Sequence, residues 1–252
     1  MIKASAFADF FSDHAAHYAA ARPAYPATLF AFIAAQAPAT ARAWDCGTGN
    51  GQAAVALARH FGQVQATDPS PQQIAQAAPH TAVTYSVQRA ERSSFPAATF
   101  DAVCVAQALH WFDLPRFFAE AERVMKPGAL FAAWGYSWFA VDPVFDALFK
   151  DWVLAPIAAD WAPQNRLLWD GYRQIQLPFA PVETPPLAIL LHWNLNQLLP
   201  YVHTWSAVRR AVTRLGPSFL TRAVAELAGW WGDPEISRPV SMPLTFLAGR
   251  KG

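Results

Sequence analysis

The segment Ala43-Trp44-Asp45-Cys46-Gly47-Thr48-Gly49-Asn50-Gly51 sets one acid and three alternate glycines after a short apolar run. That order of residue types suits a β-strand that breaks into a loop able to hold a nucleotide. Glycine accepts positive φ and lets the main chain approach a bulky ligand that a Cβ would push away. A second acid, Asp68, ends the short run Val64-Gln65-Ala66-Thr67, seventeen residues beyond Gly51. Nucleoside-binding sheets place a carboxylate there to accept hydrogen bonds from both ribose hydroxyls, and the same charge would repel a 2′-phosphate. A dinucleotide loop would space its glycines G-x-G-x-x-G beneath a pyrophosphate. The spacing here is G-x-G-x-G, which argues against a nicotinamide-dependent dehydrogenase, the main rival enzyme reading.

Three further groups could do chemistry. His110 lies in Gln107-Ala108-Leu109-His110-Trp111-Phe112-Asp113, directly after an apolar run that reads as a central strand. It is the best-placed general base, and orienting its own loop is the competing role. Tyr18, Arg22 and Tyr25 crowd a short proline turn, where an Arg and two Tyr could face a ligand carboxylate. Arg209, Arg210 and Arg214 belong to a mildly basic C-terminal stretch, and one of them could grip an acidic small molecule or simply sit in solvent.

The elements that must position these groups follow from periodicity. After the glycine loop, Ala54, Leu57, Ala58 and Phe61 form one apolar stripe at i, i+3, i+4 and i+7, so a helix follows the strand. Ser70 and Gln73 have the spacing of a capping box for the next helix. Residues 81–87 alternate as a third strand, residues 100–106 read as a strand buried on both faces, and residues 130–136 make a fifth. Asp113 can cap the helix between the last two, with Lys126-Pro127-Gly128 stopping it. Strands alternating with helices in this way fit an α/β, doubly wound, parallel sheet. Residues 1–42 read as an N-terminal helical cap, 43–137 as the ligand-binding core, 138–178 as a helical insertion or lid, and 179–252 as the remaining strands and helices. Leu187–Trp193 reads as a sixth strand, and Met242, Leu244, Phe246 and Ala248 alternate as a last one.

Composition narrows the class. A chain of 252 residues with net charge +1 has no basic footprint for nucleic acid, and no apolar stretch reads as a membrane span. Cys46 and Cys104 sit in core-strand runs and read as buried, reduced thiols. No signal peptide is visible before residue 12, so the cytoplasm is the expected compartment. Nine of the eleven tryptophans lie at or beyond residue 134, which suggests an aromatic chamber able to exclude water.

Taken together, Gly47-Thr48-Gly49-Asn50-Gly51, Asp68, Ala90-Glu91, the 107–113 string and Lys126-Pro127-Gly128 resemble the class I S-adenosylmethionine-dependent methyltransferases over residues 41–136. The Arg22-Pro23-Ala24-Tyr25-Pro26 turn, the Gln107–Asp113 string and Thr204-Trp205-Ser206 resemble, within that class, the branch containing trans-aconitate methyltransferases, with a type 11 methyltransferase domain. The resemblance implies a Rossmann-like, mainly parallel seven-stranded sheet with helices on both faces and one antiparallel strand. It implies S-adenosylmethionine as cofactor, S-adenosylhomocysteine as product, no metal, and a small-molecule acceptor that an acid would suit. By the same resemblance, Gly47, Thr48 and Gly49 would back the methionine moiety with Asp45 behind them. Asp68 would hold the ribose and Pro69 would lie against adenine, whose edge would meet Ala90 and Glu91. Gln107 and Ala108 would flank the sulfonium, and Tyr18, Arg22 and Tyr25 would fold over the cofactor. Relatives outside the branch carry an acid just before the Ala-Glu pair, whereas this chain has Arg89. A cofactor-binding protein without turnover is the remaining alternative. The acceptor and the oligomeric state are not legible.

Overall fold

The computed structural model describes residues 23–252, and these fall into two compact units. The larger comprises Tyr25–Ser137, Gln164–Ala188 and Pro243–Gly252. It begins with helix α1 (Ala27–Gln36), which follows Pro26 and buries Leu29, Phe30 and Ile33 on one face. Then come β1 (Arg42–Cys46), α2 (Gln52–Leu57), β2 (Gln63–Asp68), α3 (Pro71–Ala75), β3 (Val83–Val87), β4 (Phe100–Ala106), α4 (Leu114–Val124) and β5 (Met125–Gly135). The chain returns to this unit with α5 (Asn165–Trp169), the two-residue β6 (Ala180–Pro181) and finally β9 (Thr245–Arg250).

Seven strands pair in the order β3-β2-β1-β4-β5-β9-β6. The first five are mutually parallel, and β9 runs antiparallel to both β5 and β6. The expected doubly wound sheet with one reversed strand is therefore present. Its register explains the continuous apolar runs. Along β5, Leu130, Ala132 and Trp134 join Leu29, Ile33, Ala54 and Leu57 on one face, while Phe131 and Ala133 join Phe117, Ala121 and Val124 on the other. A strand covered by helices on both faces is apolar along most of its length. The register shift between Phe100 and Ala102 turns Phe100 onto the face of Val103, where it stacks on Trp44.

Three expectations change in detail. The strand expected at 187–193 forms as β7 (Ala188–Trp193), yet it pairs only with β8 (Arg238–Pro243) in a separate ribbon. The alternating 242–248 run is split between β8 and β9. At α3, Ser70 Oγ accepts the Gln73 N–H at 3.3 Å, but the reciprocal capping-box bond is not made because Asp68 takes the Ser70 N–H.

The smaller unit includes Trp138–Pro163 and Ile189–Met242. In chain order its α-helices among the described residues are Pro143–Phe149, Leu195–His203, Ser206–Leu215 and Ser218–Trp231, beside the β7–β8 ribbon. Its aromatic rings pack on one another: Trp138, Trp161 and Trp205 contact one another edge-on or tilted, and Phe145 lies against both Trp230 and Trp231. The Arg238 guanidinium lies 4.6 Å from the Trp230 ring centre, a cation–π contact. Arg210 and Arg214 both turn to the 156–160 segment, Arg210 donating to the Asp160 carbonyl at 2.7 Å and Arg214 pairing with the Asp160 carboxylate. They tie one helix to a neighbouring turn rather than awaiting a ligand. No helix of the described residues is long and apolar enough to cross a membrane.

At the edge of the sheet opposite the glycine loop, Asp101 is fully buried. Its Oδ2 accepts the Ala41 and Arg42 N–H groups at 3.0 and 2.9 Å, and its Oδ1 pairs with Lys126 Nζ at 2.6 Å. One carboxylate thus joins the starts of β1, β4 and β5. Removing it leaves two inward amides and a cation short of an acceptor. Asp101→Ala is expected to lower unfolding free energy by about 2 to 4 kcal/mol in urea titrations.

Candidate active site

The residues singled out from the glycine loop, from Asp68 and from the 107–113 string gather where the parallel strands end. Strand ends at one edge of an open α/β sheet form the crevice in which such folds bind ligands. Here the turn after β1 is organised by β2. The Thr67 carbonyl accepts both the Gly47 and Thr48 N–H groups at 2.8 and 2.9 Å. Asp68 Oδ2 accepts the Gly49 N–H at 2.9 Å, and its Oδ1 accepts the Ser70 N–H at 2.9 Å. Each oxygen keeps a further lone pair, so the carboxylate is anchored without being used up.

The glycines serve different ends. Gly47 and Gly49 have φ of +73° and +56°. A Cβ at Gly47 would stand 2.6 Å from the Ala108 Cβ and 3.1 Å from the Phe112 ring, so this glycine lets the 107–113 loop pack against the 47–51 loop. At Gly49 the nearest atom to an added Cβ is Gln73 Oε1 at 3.8 Å, which leaves open the space that a ligand backing would need. Gly51 is closed off by the Tyr85 ring.

Asp45 lies beneath the loop with no exposure. Its Oδ2 accepts the Thr48 hydroxyl at 2.6 Å, while Oδ1 is sealed from solvent without a partner. Burial pushes this carboxyl up to about 7, against the lowering effect of the Thr48 bond.

The 107–113 loop is the second half of the crevice. Gln107 has φ of +54°, an uncommon conformation for a residue with a Cβ. It is held there by its side-chain amide, which donates to the Tyr136 carbonyl at 2.9 Å and accepts the Tyr136 N–H at 3.2 Å. Gly135 makes that clamp possible, since a Cβ there would stand 2.5 Å from Gln107 Oε1. Ala108 and Ala90 are buried, and Pro69 is exposed. Glu91 is half-buried and accepts the Asp113 N–H at 3.1 Å, so this side chain supports the loop start of α4. Tyr25 packs edge-on against Trp134 and lies beside Tyr136. Tyr18 and Arg22 lie outside the described residues.

His110 sits on a single 3-10 turn, Leu109–Trp111, and is 5% exposed. Its Nδ1 is 3.0 Å from the Tyr172 hydroxyl. Burial lowers its pKa to about 4, so the ring is neutral at pH 7 and a weak base. Sequence reasoning missed Tyr172, which lies 62 positions away along the chain and carries no local signal of that partnership. It also missed the role of Tyr136, whose main chain rather than side chain makes the contact.

A hollow of about 480 Å³ opens in the smaller unit, lined by Trp138, Phe139, Phe149, Leu154, Ala155, Asp146 and Lys150.

The raised pKa of Asp45 has a definite sign in stability. Between about pH 4 and 7 the folded chain holds a proton that the unfolded chain has released, so folding weakens as pH rises through that window and is level above it. In paired urea titrations, Asp45→Asn should therefore gain on the parent chain from pH 4 to 7, by roughly 2 to 4 kcal/mol in total. A constant difference across that range would mean that Asp45 is ionised in the folded state throughout.

Comparison with known proteins shows the family. A family profile described as a methyltransferase domain matches residues 44–133, the span from β1 to β5. A solved structure from Anaeromyxobacter dehalogenans, carrying an inferred assignment as a type II methyltransferase, is 43% identical with a TM-score of 0.86. The match covers 91% of this chain and 97% of that one. A Dictyostelium discoideum protein, also assigned by inference as a methyltransferase, is 29% identical over 204 residues, covering 79% of this chain and 78% of its own length. An uncharacterized methyltransferase of Mycobacterium tuberculosis is 35% identical over 115 residues, 44% of this chain and 45% of its own. The chain is thus a methyltransferase and belongs to the class I S-adenosylmethionine-dependent family.

Proposed function

We propose that the enzyme transfers the methyl group of S-adenosylmethionine to an oxygen of a small-molecule acceptor, a carboxylate being the favoured class. The observation that carries this reading is the joint anchoring of Gly49 and Ser70 by Asp68, which sets an open glycine beside a carboxylate with free lone pairs. The residues present fit the cofactor: Gly49 leaves room for its amino-acid arm, Asp68 can receive the ribose hydroxyls, and Asp45 braces the loop from beneath through Thr48. When bound, S-adenosylmethionine supplies an electrophilic methyl group.

The chain's own residues then position and enclose. Ala108 packed on Gly47 keeps the two loops in register, and the Gln107–Tyr136 clamp fixes the second loop against β5. Holding two reactants in line can supply about 7 to 11 kcal/mol of the barrier without proton transfer. A carboxylate nucleophile needs no base, which agrees with a buried His110 that stays neutral far below pH 7. The 107–113 string and Thr204-Trp205-Ser206 support the trans-aconitate-like branch as the place to look for acceptors.

Transfer of tritiated methyl from the cofactor to a panel of polycarboxylates, phenols and amines tests the reading. The expected product is a methyl ester, released by mild base; a base-stable product would exclude the carboxylate. Asp68→Ala should weaken cofactor binding at least tenfold in titration calorimetry while the far-ultraviolet spectrum keeps its shape. Unchanged affinity would remove Asp68 from the ribose role. Gly49→Val, which adds a branched side chain at φ +56° into the open space, should abolish binding.

A further inference from the structure

His110 and Tyr172 form an isolated polar pair inside the larger unit. Tyr172 is 1% exposed, and its backbone is held at φ +57°, a strained conformation for a residue with a bulky side chain. Two main-chain bonds keep it there: its N–H reaches back to the Leu167 carbonyl at 2.9 Å, and its carbonyl accepts the Ile175 N–H at 2.9 Å. The turn thus delivers a phenol to His110 at the cost of local strain. Burial raises the phenol pKa, so the hydroxyl keeps its proton.

That proton has a single place to go among the described residues, the His110 ring nitrogen 3.0 Å away. Were Nδ1 to donate instead, the phenol hydrogen would be left unpaired in the interior, the less favourable arrangement. With Nδ1 accepting, a neutral imidazole must carry its hydrogen on Nε2. The ring then has no lone pair available to take a proton from an acceptor, and it presents an N–H donor.

We infer that Tyr172 is a positioning residue that fixes His110 as the Nε2–H tautomer, and that this N–H donates to an oxygen of the methyl acceptor. This rests on the methyltransferase reading for its second half only. It makes His110 an orienting donor for an oxygen nucleophile rather than a general base.

Nitrogen-15 NMR of uniformly labelled protein reads the tautomer directly, with His110→Gln used to assign the signal. The parent chain should show His110 with Nε2 protonated, and Tyr172→Phe should shift it towards a mixture with Nδ1–H. The same substitution should lower kcat about tenfold, with KM for the cofactor unchanged. An Nδ1–H tautomer in the parent chain overturns the inference without any variant having to fold. So does an unchanged tautomer in Tyr172→Phe, and a shifted tautomer with unaltered kcat removes the donor role. If the parent chain transfers no methyl group while the tautomer is as expected, the methyltransferase reading fails with the donor role, and the Tyr172-set tautomer stands.

Discussion

Three hydrogen bonds from the tip of β2 hold the loop after β1, and the crevice depends on them. Two go from the loop amides of Gly47 and Thr48 to the Thr67 carbonyl, and the third from Gly49 to the Asp68 carboxylate. A glycine loop has little conformational preference of its own, so without external acceptors it would sample many shapes. By taking the Gly49 and Ser70 amides at once, Asp68 makes the end of β2 and the turn after β1 a single body. Charge-assisted bonds of this kind are about twice as strong as neutral ones. The parallel register of β1 on β2, with Cys46 opposite Thr67, brings these partners together.

The same region gives up stability in three places. Asp45 is an acid with no exposure and one unpartnered oxygen, and Gln107 and Tyr172 both hold left-handed backbone. Each is a departure from what folding alone would select, and such departures cluster where a site must be held in a set shape. The opposite edge of the sheet shows the contrast. There Asp101 is equally buried, but both its oxygens have partners, and it serves to tie strand ends together. Two buried aspartates in one sheet therefore play opposite parts, and their hydrogen-bond partners tell them apart.

In the smaller unit, cohesion is aromatic. Edge-on and tilted rings from Trp138, Phe139, Phe149, Trp161 and Trp205 pack together, and Asp160 gathers two arginines from one helix face. Aromatic pairs add about 0.5 to 1.5 kcal/mol each beyond the area they bury. Trp161, Trp205, Trp230 and Trp231 thus serve packing.

Periodicity alone determined the alternation of strands and helices from Arg42 to Gly135, because strands covered on both faces must read as unbroken apolar runs and their covering helices as stripes. Residue type and spacing likewise marked the glycine loop, Asp45 and Asp68, since φ above zero and a strand-end carboxylate leave local traces. What tertiary structure alone decided is which partner each group meets. That Gly47 is a packing glycine, unlike the open Gly49, depends on Ala108, 61 residues away along the chain. That β7 leaves the sheet and that His110 meets Tyr172 are also long-range choices. A sequence pattern records the local backbone state of each residue, but the direction of a hydrogen bond is set by whichever element the fold brings alongside.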